Sequence, residues 1–340
     1  MSGLCLLVAL TLSNIGSAKS QNYHEVLRMP LSSFMGPDRF QYGCLSVPLK
    51  SDEYIVDFQP HSPPGGVHHM ALYSCEEPYE RQSVWECIDP KHICKDNAKK
   101  SALFAWNLGA PGWTLPAYTG INTGKSSKYL IFQIHGRTDL KEYHMDKYAS
   151  VTLEFTAERP PLDTVLKVYG IGGYIPANTL GFTTDVACPW HINISAPIIG
   201  YALHTHDYGV ATSAYLIRNG TWIEIGRVDP RYAMLTYDIA DRELHVHPGD
   251  IVATRCTYNN HRTTDVQMGF RHSDEMCNLL LHYAVPHSYA DQTKMTQCSK
   301  NAQEFHWEDV FDNIPPLASD VSGDTDQNRY LKTHHLAKKV

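Results

Sequence analysis

Short runs of alternating apolar and polar residues recur along the whole chain. They lie at Tyr54 to Phe58, Tyr129 to His135, Val151 to Phe155, Ala214 to Ile217, Ile251 to Arg255 and Leu279 to Tyr283. A period of two puts successive side chains on opposite faces and marks half-buried β-strands. Pro63-Pro-Gly-Gly66, Asn219-Gly220 and Pro248-Gly249 punctuate the runs, supplying the residue types that reverse a backbone. No amphipathic helix longer than three turns stands out. The expected fold class is therefore all-β, built as two antiparallel β-sandwich domains.

The best boundary is the segment 158–163, where Pro160-Pro161 follows an alternating run and cannot lie inside a central strand. An N-terminal sandwich is expected over 19–159 and a C-terminal one over 162–300. Beyond Cys298 the composition turns polar, and 301–340 reads as a loosely ordered tail, with His334-His335 solvated.

Composition changes this picture in three ways. A net charge of −7, with no basic run beyond Lys338-Lys339, argues against a nucleic-acid partner. Residues 1–18 read as a signal peptide, with an apolar run from Leu4 to Leu12 and small residues at Gly16 and Ala18. That run is about half of the ~20 residues a membrane span needs, so secretion without an anchor is expected. Eight cysteines remain once Cys5 leaves with the signal. An even number in an exported chain implies disulfides rather than free thiols. Four precede residue 100 and four follow residue 187, so each half can close its own bridges. Asn193 and Asn219 head glycosylation sequons.

Nineteen histidines direct attention to metals. In His204-Thr205-His206, positions i and i+2 of a strand share a face, so both imidazoles can reach one ion. A di-zinc hydrolase pattern fails, because Asp207 directly follows the second histidine. Met276 sits between Asp274-Glu275 and Cys277, where a disulfide would pin the backbone beside it. A thioether joined to two imidazoles points to copper, since soft sulfur favours the cuprous ion. His68-His69 is awkward as a pair, because neighbours in a strand face opposite ways. Both can bind one ion only if the backbone twists or the rings use different nitrogens. His135 closes a strand face that also carries Gln133, a candidate hydrogen-bonding support for the ligand. Three protein ligands per ion leave a position open for reaction. The two sets, His68, His69, His135 and His204, His206, Met276, describe a redox enzyme that uses oxygen.

Val67-His-His-Met70, Lys128-Tyr-Leu-Ile-Phe-Gln-Ile-His135, Leu203-His-Thr-His206, Arg218-Asn-Gly-Thr-Trp222 with Ile225-Gly-Arg227, and Ser273-Asp-Glu-Met-Cys-Asn278 together resemble the copper type II, ascorbate-dependent monooxygenases. Within that family the resemblance is greatest to the peptidylglycine α-hydroxylating branch, and it extends from about residue 40 to 298. It implies two β-sandwich domains facing across a cleft, each with one of two copper ions. His68, His69 and His135 would hold the electron-transfer copper; His204, His206 and Met276 would hold the oxygen-activating copper. It further implies ascorbate as reductant, O2 as co-substrate and hydroxylation at the α-carbon of a C-terminal glycine in a glycine-extended peptide. A separate lyase is expected for the second amidation step. The implied bridges are Cys44–Cys87, Cys75–Cys94, Cys188–Cys298 and Cys256–Cys277. The family's most N-terminal bridge has no counterpart.

Two pocket positions depart from the family pattern. Ala202 stands where an arginine pairs with the peptide carboxylate, and Leu280 stands where a tyrosine is found, although Asn278 is retained. Either another cation, Arg255 or Arg271, takes over, or the substrate has no free carboxylate. The competing expectations are the same copper chemistry on a phenethylamine, and a secreted copper- or peptide-binding protein without turnover.

Overall fold

The computed structural model describes residues 22–33, 42–49, 53–63, 67–123, 127–136, 147–269, 273–290, 298–301, 303, 306–307, 313–336 and 338. The signal-like segment 1–18 and Arg271 lie outside the described residues.

The first domain contains β1 (Tyr23–Pro30), β2 (Tyr42–Pro48), β3 (Tyr54–His61), β4 (Val67–Cys75), β5 (Trp85–Glu86), β6 (Lys100–Asn107), β7 (Trp113–Thr114), β8 (Thr119–Asn122), β9 (Tyr129–Gly136) and β10 (Tyr148–Thr156). The second contains β11 (Leu162–Ile175), β12 (Thr179–Pro189), β13 (Ala196–His204), β14 (Gly209–Arg218), β15 (Thr221–Val228), β16 (Tyr237–Asp238), β17 (His245–Val246), β18 (Ile251–Asn260), β19 (Val266–Met268), β20 (Asn278–Val285) and β21 (Cys298–Asn301). Each alternating run read from the sequence falls inside one of these strands. The Asn219-Gly220 signal is a two-residue hairpin: both residues have positive φ (49° and 76°), and Arg218 pairs with Thr221. A turn of that hand matches the twist of the strands it joins.

In the first domain the sheet β5-β2-β9-β4-β6 packs on β1-β10-β3-β8. Phe58 and Phe104 stack across the two layers at 4.5 Å. In the second, β12-β18-β14-β15 packs on β11-β20-β13-β16 around Val165, Leu216, Val252 and Leu281. Parallel pairing of β8 with β11, Leu162 opposite Thr119, makes one sheet continuous through both domains. The four disulfides are Cys44–Cys87, Cys75–Cys94, Cys188–Cys298 and Cys256–Cys277, as the family resemblance implies.

β20 is buried on both faces. Leu279, Leu281, Tyr283 and Val285 enter the second domain's core, whereas Leu280, His282 and Ala284 meet the first domain. The pattern is the one a strand shows when both of its faces are covered.

The loose tail inferred from composition is corrected for the described part of 301–340. Trp307 is fully buried in a cluster with Tyr215, Ile217 and Ala318. Ser213 Oγ donates to the Ala318 carbonyl at 2.7 Å, and Arg227 Nη1 to that of Asp320 at 2.7 Å. The helix α1 (Asp326–Leu331), N-capped by Thr325, presents Asp326 to the Tyr201 hydroxyl at 2.7 Å. Some of the segment's polar groups bond to the second domain while others stay exposed, a division that composition alone does not show. Among the described residues no helix is long and apolar enough to cross a membrane.

His282 provides a pH test of the domain junction. Its ring lies 4.4 Å from that of Trp113, and burial depresses its pKa from 6.5 to about 3. The unfolded chain therefore takes up a proton below pH 6.5 that the folded chain refuses, so stability is complete above 6.5 and is lost as pH falls from there toward 3. The expected loss is about 1.4 kcal/mol per pH unit in that window. Urea titrations of His282→Leu beside the native protein at several pH values should show the variant's slope smaller by one proton.

Candidate metal centre

The awkward pair His68-His69 is resolved by a β-bulge. Along β4 and β9, Val67 faces Gly136 and His69 faces His135, so His68 is an extra residue on its strand. A bulge re-aims a side chain that regular pleating would send to the opposite face. The Nδ1 atoms of His68 and His69 lie 3.2 Å apart, and those of His135 and His69 3.3 Å apart. Imidazole–metal bonds of about 2.0–2.1 Å at a tetrahedral angle place two ligand nitrogens about 3.3–3.4 Å apart. The trio therefore fits one ion held through three Nδ1 atoms. Tyr42 stacks on His135 at 4.1 Å and meets His69 edge-on. Burial holds its phenol above the ordinary tyrosine range, so it stays neutral. Gln133 is not turned to an imidazole: its amide nitrogen donates to the Cys87 carbonyl at 3.2 Å, and its oxygen accepts from Tyr73 at 3.5 Å.

The second set is built differently. β13 ends at His204, which faces Asn278 of β20. The shared strand face expected for His204 and His206 therefore stops at His204, and a turn delivers His206. The two rings are 5.1 Å apart. His206 Nδ1 lies 2.7 Å from the Asp274 carbonyl, which can only accept. The proton is thus on Nδ1, and Nε2 keeps the lone pair a metal needs. Met276 is fixed at every level. Its carbonyl accepts from the Tyr258 hydroxyl at 2.7 Å, its sulfur from Asn278 Nδ2 at 3.4 Å, and Cys277 beside it is bridged to Cys256. Cys256 and Tyr258 lie two apart on β18, and so act from one face.

A cavity of about 380 Å³ lies between the domains, with His69, His204, Met276 and Asn278 in its wall. The ring centroids of His68 and His206 are only 5.9 Å apart, so the two sets are neighbours. Ala202 faces Leu280 across β13 and β20, and both cluster with Leu166 and Met234. Arg255 cannot serve as the replacement cation. Asp185 holds its guanidinium at 2.7 and 3.0 Å, and Trp307 covers it. Lys100 lines the far end of the cavity, bonded to the Pro90 carbonyl at 2.7 Å, and burial lowers its pKa. On β4 and β6, Lys100 faces Cys75 while Asn107 faces His69, a separation of about 20 Å along the strands. Lys100 is thus far from the His69 end of the cavity.

Of the two ways His68 and His69 could share an ion, a backbone departure is the one found, with the same ring nitrogen facing in; Tyr42 and Tyr258 have no local signal in the sequence. Glu275 reads there only as a flanking charge.

Residues 34–141 match the N-terminal domain model, and 164–311 the C-terminal domain model, of the copper type II ascorbate-dependent monooxygenases. The chain belongs to that family. It is 30% identical over 312 residues to peptidyl-glycine alpha-amidating monooxygenase B of Xenopus laevis, covering 89% of this chain and 34% of that protein. To the peptidylglycine alpha-amidating monooxygenase of Rattus norvegicus it is 32% identical over 286 residues, covering 82% and 28%. Human dopamine beta-hydroxylase is 28% identical over 256 residues, covering 68% and 41%. The chain thus spans about a third of the length of the amidating relatives. A phage PM2 capsid protein aligns at 12% identity over 78% of this chain and 98% of its own, with a TM-score of 0.34, too slight a likeness to carry an argument.

The turn to His206 depends on Gly209. A Cβ there would lie 2.0 Å from Thr205 Oγ1, and Thr205 is fully buried. Gly209→Ala is expected to cost about 1–3 kcal/mol of stability, read from urea unfolding. Equilibrium dialysis should show copper affinity falling at the His204 set and unchanged at the all-histidine set.

Proposed function

We propose that this chain hydroxylates the α-carbon of a C-terminal glycine in peptides, the first step of C-terminal amidation. Two copper ions would be held, one by His68, His69 and His135, the other by His204, His206 and Met276. One oxygen atom of O2 enters the Cα–H bond, the other leaves as water, and ascorbate supplies the two electrons. The chemistry that copper contributes when bound is one-electron exchange with ascorbate and activation of dioxygen. The carrying observation is the juxtaposition of the two sets, with His68 and His206 at 5.9 Å, beside a mainly apolar cavity between the domains.

The protein's own contribution is placement. The bulge at His68 and the tautomer set by the Asp274 carbonyl orient the imidazoles before any ion binds. The walls are mainly apolar, and Asn278 lies beside the sulfur, where it can orient the substrate backbone. Amidating relatives match more of the chain, 82–89%, than the dopamine-hydroxylating one at 68%, which favours the peptide substrate. Release of the amide from the hydroxyglycine falls to a lyase activity. The disulfides fit an oxidising compartment. We assign secretion to residues 1–18, and glycans to the exposed Asn193 and Asn219.

A second reading has specific support. The wall at Ala202 and Leu280 is apolar, and Lys100 lies far from the His69 end of the cavity, which favours a substrate uncharged next to the reacting carbon. Oxygen uptake by copper-loaded protein with ascorbate should be coupled to hydroxyglycine with an acylated X-Gly peptide and not to product with tyramine. Coupling to tyramine alone establishes the second reading, and no coupling with either removes both. The described residues put no cation beside Ala202 and Leu280, so the methyl ester of that peptide should keep its KM within about threefold. A lost ion pair would raise it about tenfold to a hundredfold, the equivalent of ~1.5–3 kcal/mol.

A further inference from the structure

Glu275 is a carboxylate with no exposed surface, one residue from Met276. Three backbone amides meet its side chain. Oε1 accepts from the N–H of His206 and, at 2.7 Å, from that of Met276. Oε2 accepts from the N–H of Tyr208 at 2.8 Å. The residue's own backbone is tied as well: its N–H donates to the Gln267 carbonyl at 2.8 Å, and its carbonyl accepts from Gly269 at 3.0 Å. One acid therefore joins three stretches distant in sequence: the turn after His204, the methionine segment and β19.

We propose that Glu275 is the positioning residue of the His204, His206, Met276 set, the clamp that fixes the thioether relative to the two imidazoles. The inference rests on the proposed metal role of those three residues. Its physical basis is that neither β-sheet does this job. β13 stops at His204 and β20 begins at Asn278, so His206 and Met276 both lie outside the hydrogen-bonded ladder. A carboxylate is an acceptor at both oxygens and can satisfy three amides at once, with charge-assisted bonds stronger than neutral ones. An amide of the same shape cannot, because its nitrogen is a donor and would be turned on Tyr208 or on the His206 and Met276 pair. A shorter acid loses reach to one side.

Glu275→Gln separates the clamp from a merely filled space. With cuprous protein, X-ray absorption of the native chain should show a sulfur scatterer beside the nitrogens. In E275Q that scatterer should fall to less than about half, while the nitrogen signal of the all-histidine set is retained. Displacement of a ligand by about 1 Å is expected to lower kcat roughly tenfold to a hundredfold, with the peptide KM within about threefold. Glu275→Asp should fall between the two. Hydrogen exchange on metal-free protein tests the clamp independently of copper: the amides of His206, Tyr208 and Met276 should exchange at least about tenfold faster in E275Q. Unchanged sulfur scattering, or unchanged exchange at those amides, overturns the proposal. If the native protein shows no sulfur scatterer, the metal assignment fails and the exchange result alone decides the clamp. Should E275Q not fold, native exchange decides: three slowly exchanging amides support the clamp, and any one exchanging at open-loop rates refutes it.

Discussion

The antiparallel pairing of β13 with β20 is the constraint on which the rest of the molecule turns. Strand alternation gives each of these strands two faces, and burial on both sides leaves neither free. One face, through Leu203, Leu279 and Leu281, is the second domain's core. The other, through Ala202, His204, Asn278 and Leu280, is the wall that meets the first domain. A register slip of one residue would send the imidazole into the hydrophobic core and the leucines into the cavity. The core thus sets the chemistry's position, because packing fixes the register and the register fixes which residue faces the cavity.

The two histidine sets solve one problem by different means. The all-histidine trio is carried by β4 and β9 themselves, with a single bulge to bring adjacent imidazoles to one point. The sulfur-bearing set lies just past the strand ends, where ladder bonds no longer hold the chain. There the side chains of Glu275 and Tyr258, the Asp274 carbonyl and the Cys256–Cys277 bridge replace the ladder. The contrast suits ligands of different kinds. Rigid imidazoles need only correct aim, whereas a flexible thioether needs its backbone fixed before its sulfur has a defined place.

The cavity wall beyond Asn278 is apolar at Ala202 and Leu280. Ala202 and Leu280 are opposite each other in register, so the two departures noted in the sequence are one local change of surface, not two scattered ones. Arg255 is consumed by Asp185 under Trp307. The segment that supplies Trp307 is the same polar stretch whose composition reads as a tail.

The sequence by itself determined the class of fold, six of the longer strands, the hairpin at Asn219-Gly220 and the residue types that gather at the two sets. These are local signals: a period of two, a turn residue and a donor atom of known softness are visible within a few positions. Only the tertiary structure decided that His68 is bulged, that His206 lies beyond its strand, that Gln133 serves the Cys87 backbone, and that Trp307 and Ala318 are buried against the second domain. Each of these depends on a partner far away in sequence, Gly136, Glu275, Cys87 or Ser213, and whether a polar group meets water or protein is settled by that partner. Glu275 is the plainest case. Its letter is that of a surface charge, and its role exists only because the fold brings three backbone amides to one buried carboxylate.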